Sequence, residues 1–185
     1  VNNVAKPDRR IARTQEALKK ALVGLMAEKK FDEVTIQDIA DRANVNRGTL
    51  YLHYKDKYDL LDKLIESHFD ELAALDEWAC ALNWNEALVP YFEYFEANFL
   101  FFSAMLASKE APASFRSRLL ASFMDGFKDE VDRTSGRNEG MSEDVLLQYA
   151  GSAYVSMIEW WIRSGMPHPP KVMAEQVGRL LERSL

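Results

Sequence analysis

Cysteine occurs once in this 185-residue chain, at Cys80. A single thiol excludes an intramolecular disulfide framework and a multi-cysteine zinc site, and suits a reducing cytoplasm. Histidine is almost as scarce. His53, His68 and His168 are far apart, and none has a glutamate three residues before it, so the carboxylate-bridged dimetal pattern of helical bundles is missing. There is no glycine-rich phosphate loop and no Gly-x-Ser-x-Gly elbow. Glu93 and Glu96 are at helical spacing but read as solvated. These absences predict a protein that is not an enzyme and has no metal and no cofactor.

Long apolar runs are also lacking. The most apolar window, Val145 to Ile162, is interrupted by Gln148 and Glu159 and reads as a buried helix rather than a membrane span. Lys6, Arg9, Arg10 and Arg13 are not followed by an apolar run, so no secretory signal is read. A cytoplasmic protein with no membrane partner is expected. No internal repeat, low-complexity segment or strand pattern occurs, and the expected fold class is all-α, with about eight or nine helices.

Net positive charge is lacking too: the balance is -6. It is unevenly spread. Residues 1–57 hold 12 Lys/Arg against 8 Asp/Glu, whereas residues 58–185 hold 11 against 21. A basic first third on an acidic body localises any attraction to phosphate and orients the molecule on a polyanion.

What the chain does have is concentrated between Thr35 and Tyr54. Thr35 followed by Asp38 forms a capping-box pattern, and Ile36, Ile39, Ala40 and Ala43 then fall on one helical face. Asn44 stands where the chain must reverse and tolerates a left-handed conformation, while Val45 plugs the corner. Asn46 caps a second short helix whose remaining positions, Arg47, Gly48, Thr49, Tyr51, His53 and Tyr54, are donors or small residues with no acid among them. A donor-rich, acid-free helix after a tight turn is what reading a DNA major groove requires. Arg47 is expected to read a base edge, a guanine by preference. Thr49 would touch a base methyl or a phosphate, and Gly48 would let the backbone come close. Thr35, Tyr51, His53 and Tyr54 would hold phosphates, with Tyr54 alternatively packed inward. Asp56 and Asp59 pattern the start of the next helix, which runs to about Ala79 and carries Lys57 in its first turn as a further phosphate contact.

Thr35, Asp38-Ile39-Ala40, Ala43, Val45, Gly48-Thr49-Leu50-Tyr51, His53-Tyr54 and Lys57, in that order and spacing, resemble the tetracycline-repressor-like (TetR) transcriptional regulators. Asn44 replaces the family's customary glycine and Asn46 its customary serine, with the backbone chemistry kept in both. The resemblance covers roughly residues 8–68. It implies an amino-terminal three-helix helix-turn-helix module over 8–68, with its reading motif at 35–54, followed by a larger helical bundle over 69–185 for ligand binding and dimerisation. It also implies the phosphate duty of Lys57, and a switch in which ligand displaces the helix shared by both halves. The function expected is repression from a palindromic double-stranded operator, bound as a homodimer and released by a small, mostly apolar ligand. The alternative of another class is a helical adaptor that acts through a protein partner.

In the body, Leu88, Phe92, Phe95, Phe99, Phe102 and Leu106 repeat at steps of four and three, and Tyr91, Tyr94, Asn98, Phe101 and Met105 run beside them. This aromatic stripe is either plain core or, as the resemblance implies a cavity, the lining of a ligand pocket formed by Tyr91, Phe92, Phe95, Asn98, Phe99 and Phe102. Phe123, Phe127 and Tyr149 are possible neighbours, and Asn98, Tyr91 or Gln148 would orient a polar group. The last two long helices are the expected dimer interface through Gly151, Tyr154, Met157, Trp161, Val177 and Leu181, the other reading being that these residues complete the monomer core.

Overall fold

The helical periodicities become ten α-helical segments among residues 9–79, 83–107, 113–133 and 138–184, which this computed structural model describes. The amino-terminal arm of residues 1–7, Asp8 and Cys80 lie outside the described residues. No strand occurs among those described, and the fold is all-α. By its own contacts the chain divides into two compact units, Val1–Ser67 and His68–Leu185.

The first unit holds α1 (Arg9–Met26), a 3-10 turn at Phe31–Glu33, α2 (Ile36–Ala43), α3 (Arg47–Tyr51) and the start of α4 (Lys57–Ala79). Its core is aliphatic: Leu18, Leu22 and Leu25 of α1, Ile39 and Ala40 of α2, Leu50 of α3, and Leu60 and Leu64 of α4 are all buried. Ile11, two turns earlier in α1, is 44% exposed. Polar side chains punctuate the helix ends. The Thr35 hydroxyl accepts from the Asp38 amide at 3.1 Å, and Asp38 Oδ2 accepts from the Thr35 amide at 2.8 Å, closing the capping box at both ends. Asp56 Oδ1 accepts from the amides of Tyr58 and Asp59 at the head of α4.

The second unit contains the rest of α4, α5 (Trp84–Ala87), α6 (Val89–Ala97), α7 (Phe99–Phe102), a π-helical turn at Ser103–Ala107, α8 (Ala113–Arg133), α9 (Glu143–Arg163) and α10 (Pro170–Ser184). The aromatic stripe from Leu88 to Leu106 is thus not one helix. It breaks at Asn98 (φ -111°, ψ 28°), whose amide side chain donates to the Tyr94 carbonyl at 3.0 Å, and it widens and unwinds at the π turn. The rings themselves close on one another edge to face, as in Phe95–Phe102 with centroids 4.7 Å apart and Phe123–Tyr154 at 4.6 Å, the geometry favoured by the ring quadrupole.

Helices α8 and α9 run close because position 151 has no side chain: a Cβ there would meet Met124 Cγ at 2.8 Å and Leu120 Cδ1 at 3.0 Å. Helix α9 stops at Gly165, whose φ of 71° accompanies Gly165 N–H to Ile162 and Met166 N–H to Trp161 bonds, a Schellman end. Trp161, fully buried, then donates its indole N–H to the His168 carbonyl at 2.8 Å and ties down the proline-flanked connection to α10.

Candidate nucleic-acid interface

The reversal between α2 and α3 is built by backbone geometry that few residues accept. Asn44 sits at φ 53°, ψ 47°, with its amide bonded to the Asp41 carbonyl and the Val45 amide to the Ala40 carbonyl. This is the same paired ending seen after α9, made here by Asn instead of Gly, since a short polar side chain tolerates the left-handed region. Asn46 then caps α3, its Oδ1 accepting from the Gly48 amide at 2.7 Å. A Cβ at Gly48 would lie 3.2 Å from that oxygen, so Gly48 leaves room for the cap as well as for any close approach from outside.

With both ends fixed, α3 turns Leu50 inward, fully buried, and faces outward with Arg47, Gly48, Tyr51 and Leu52. Arg47 and Tyr51 are one turn apart on this face, and the guanidinium donates to the Tyr51 hydroxyl at 3.1 Å with its carbon 5.5 Å from the ring centre. Leu52 is 82% exposed. Sequence reasoning passed it over by attending to polar residues, although its four-residue step from Gly48 places it on the same face. Thr49 and His53 flank the face, half-buried. Tyr54 is buried within the unit, and burial, followed by the charges of Asp59 and Glu16, pushes its phenol up; of the two roles open to it, the ring takes the inward one.

Thr35 is exposed at the start of α2, and its hydroxyl is already held by Asp38, to which it donates at 2.8 Å. The Lys29 ammonium, 2.7 Å from Asp38 Oδ2, and then the Thr35 amide and hydroxyl hold the Asp38 carboxyl far below its usual range. Lys57 departs most from expectation. Its ammonium donates to three carbonyls, those of Phe31 at 3.0 Å, Asp32 at 2.9 Å and Val34 at 2.8 Å, and lies 4.9 Å from the Phe31 ring and 5.4 Å from that of Tyr58. The side chain braces the start of α4 to the turn before α2, and its donors are occupied.

In the body, Tyr91, Phe92, Phe95, Phe102, Phe123 and Phe127 are brought together as buried rings packed against one another. Phe99 is half-buried beside them in sequence, and Asn98 uses its amide on the backbone of its own helix. Tyr149 is not in this group: it is 59% exposed on the outer side of α9. His68 lies among the rings, bonded through Nδ1 to the Tyr94 hydroxyl and stacked on Phe101 at 3.9 Å. Burial, then the charge and hydrogen bond of Glu71, push the Tyr94 phenol far up.

Of the expected interface residues, Gly151, Tyr154, Trp161, Val177 and Leu181 are buried by the chain's own helices, and Met157 is half-buried. Their positions correspond to the other reading, completion of the monomer core. The face of α9 that remains outward carries Val145, Tyr149, Ser152, Ser156 and Trp160, and the first four of these, with Met124, border an open hollow of about 790 Å³. Among the described residues no helix is long and apolar enough to cross a membrane, and no group of three or more His, Cys, Asp or Glu is placed to hold a metal ion.

Comparison with known proteins bears on both units. A family described as "Bacterial regulatory proteins, tetR family" matches residues 19–64, and one described as "Transcriptional regulator C-terminal region" matches residues 82–183, more than half of the chain. The uncharacterized HTH-type transcriptional regulator YxbF of Bacillus subtilis (strain 168) is 28% identical over 182 residues, spanning 95% of this chain and 46% of the relative. DhaS of Lactococcus lactis subsp. lactis (strain IL1403), an HTH-type dhaKLM operon transcriptional activator, is 26% identical over 89 residues, 48% of this chain and 46% of the relative. The chain spans about half the length of the curated relatives it matches. A TetR transcriptional regulator of known structure from Streptococcus agalactiae 2603V superposes with a TM-score of 0.65 at 26% identity, covering 94% of this chain and 96% of that one.

Proposed function

The chain belongs to the tetR family of bacterial regulatory proteins, and from that membership we propose that it represses transcription by occupying a palindromic operator as a homodimer, and lets go when a small, mostly apolar ligand binds its body. Members of the family are transcriptional regulators and not enzymes. The observation that carries the finer reading is the outward face of α3. Arg47, Gly48, Tyr51 and Leu52 are presented together by one left-handed turn and one side-chain cap, with no acid among them. In this reading Arg47 grips a guanine edge, Leu52 covers a thymine methyl, and Gly48 admits the duplex to van der Waals distance. Thr35, Asn46, Thr49 and His53 stand around that face and set register on sugar and phosphate. Lys57 serves as a brace behind it and Tyr54 as core beneath it.

The DNA module is taken as residues 8–68 and the ligand-binding and dimerisation body as 69–185. One reading helix contacts few base pairs, and two-fold pairing would put a second on a half-site about 34–36 Å away. The pairing face is assigned to the outer side of α9, where Val145, Tyr149 and Trp160 flank the small Ser152 and Ser156. Small residues between large apolar ones permit close helix approach with substantial burial. The ligand is assigned to the ring cluster of the second unit, entered by parting rings that are closed on each other, and α4, whose residues belong to both units, would carry the change.

The test is selection of duplexes from a randomised library by the purified protein at moderate salt, followed by a promoter–reporter assay with the recovered motif. A two-fold symmetric motif and reporter silencing are expected. Recovery of no motif overturns DNA reading by α3. A reporter that rises instead of falling replaces repression with activation, the sign recorded in the name of DhaS.

A further inference from the structure

We infer that Tyr51 is a positioning residue for base recognition: its hydroxyl and ring hold the Arg47 guanidinium at a fixed place on the face of α3, so that discrimination at one base pair of each half-site depends on Tyr51 although Arg47 makes the contact. The inference rests on the reading of α3 as the base-reading helix.

The choice of partner, on the outward face of α3, decides what this arginine can still do. Several cations of the described surface are held by carboxylates: Arg42 by Glu28 at 2.6 Å, Lys29 by Asp38 at 2.7 Å, Arg116 by Glu159 at 2.8 Å and Arg179 by Glu175 at 2.6 Å, whereas Lys57 and Arg163 are held by backbone carbonyls. A carboxylate fixes a guanidinium by occupying its donor edge and cancelling its charge, which removes it from service to a nucleic acid. Arg47 is held by a neutral phenol, which accepts one N–H at 3.1 Å and offers its ring face at 5.5 Å. Position is thereby fixed while the charge and the remaining donors stay available.

That distinction has a consequence for selectivity. A free arginine on an exposed helix samples many rotamers and, on docking, can settle on a phosphate as readily as on a base. Ordering it at that moment also costs conformational entropy. A guanidinium fixed beforehand loses less and meets a guanine edge in one geometry, where two parallel N–H bonds require the fork to lie in the base plane. Tyr51 is suited to the role because it is itself constrained: it occupies the last position of a short helix between the buried Leu50 and the exposed Leu52. Its hydroxyl is at the exposed end, so removing it leaves the core untouched.

The experiment compares wild type, Arg47→Ala, Tyr51→Phe and the double variant on the duplex recovered by the wild type from a randomised library, and on a panel in which each base pair is changed in turn. Arg47→Ala is expected to flatten discrimination at one position per half-site by about tenfold. Tyr51→Phe is expected to flatten the same position roughly fivefold and to leave the others unchanged, and the double variant to match Arg47→Ala at that position. A uniform loss across the whole panel with Tyr51→Phe, or no loss, or additive losses in the double variant, overturns the inference and leaves base reading by Arg47 standing. If Arg47→Ala flattens no position, both fall together. Unchanged thermal midpoints for Tyr51→Phe separate these outcomes from misfolding.

Discussion

The two units of this chain are held together in different ways. In the first, helix ends and turns are made by named side chains bonded to backbone: Thr35 and Asp38 at α2, Asn46 at α3, Asp56 at α4, and Lys57 across three carbonyls. In the second, Asn83 caps the short α5, but the organising feature is volume, a set of rings and branched chains that fill space against one another, with Ser142 standing at the head of the long α9 without a side-chain cap bond. A surface that must present a few atoms in fixed places needs directional bonds with defined lengths. A body that has only to be filled can exchange one large side chain for another of similar volume at small cost. Polar punctuation therefore records a constraint that volume does not.

The largest effect that would sharpen this contrast is loss of volume in the body. Trp161→Ala should cost about 3–5 kcal/mol of stability in urea unfolding, with Trp161→Phe costing clearly less because most of the filled space remains. Equal costs would mean that the indole bond to His168, rather than volume, holds this end of α9, and the contrast would break there. Next in size is Lys57→Met, which keeps the packing between Phe31 and Tyr58 but strands three carbonyls. About 1–3 kcal/mol should be lost, while the slope of log binding constant against log salt stays as in the wild type. A slope shallower by about 0.9 would instead make Lys57 a phosphate contact.

The smallest effect is a pH dependence. The folded chain holds Asp38 far below the ordinary carboxylate range, through Lys29 first and Thr35 second. Its contribution is therefore complete above that range and is lost as pH falls through the depressed folded value. Thermal midpoints of wild type and Asp38→Asn should differ at neutral pH and converge in strong acid; a gap that persists there would mean the box is held by geometry alone.

The same contrast explains what could be read in advance. Thr35, Asn44 and Asn46 were legible because each residue type has a specific backbone use, and the structure has the capping box, the left-handed turn and the cap where the sequence placed them. Leu52 was not, because an exposed leucine carries no such signature. In the body, helix content was legible and side-chain direction was not. Tyr149 and Phe123 look alike in a sequence, yet one is outside and the other inside, since a helix with apolar residues on most of its faces does not say which face a neighbour covers. Trp161 and Trp160 are adjacent and divide in the same way. The break at Asn98 was hidden because Asn serves equally as an interruption and as a polar group within a stripe.

Lys57 has one more consequence, for chemistry done on the protein from outside. Its three N–H groups are engaged by three carbonyls between two aromatic rings, so an amine-directed acylating reagent should react more slowly with the half-buried Lys57 while the brace is closed than with the exposed Lys55 two residues away. The extent of labelling at Lys57 relative to Lys55 is a built-in clock for how often the turn before α2 and the head of α4 come apart.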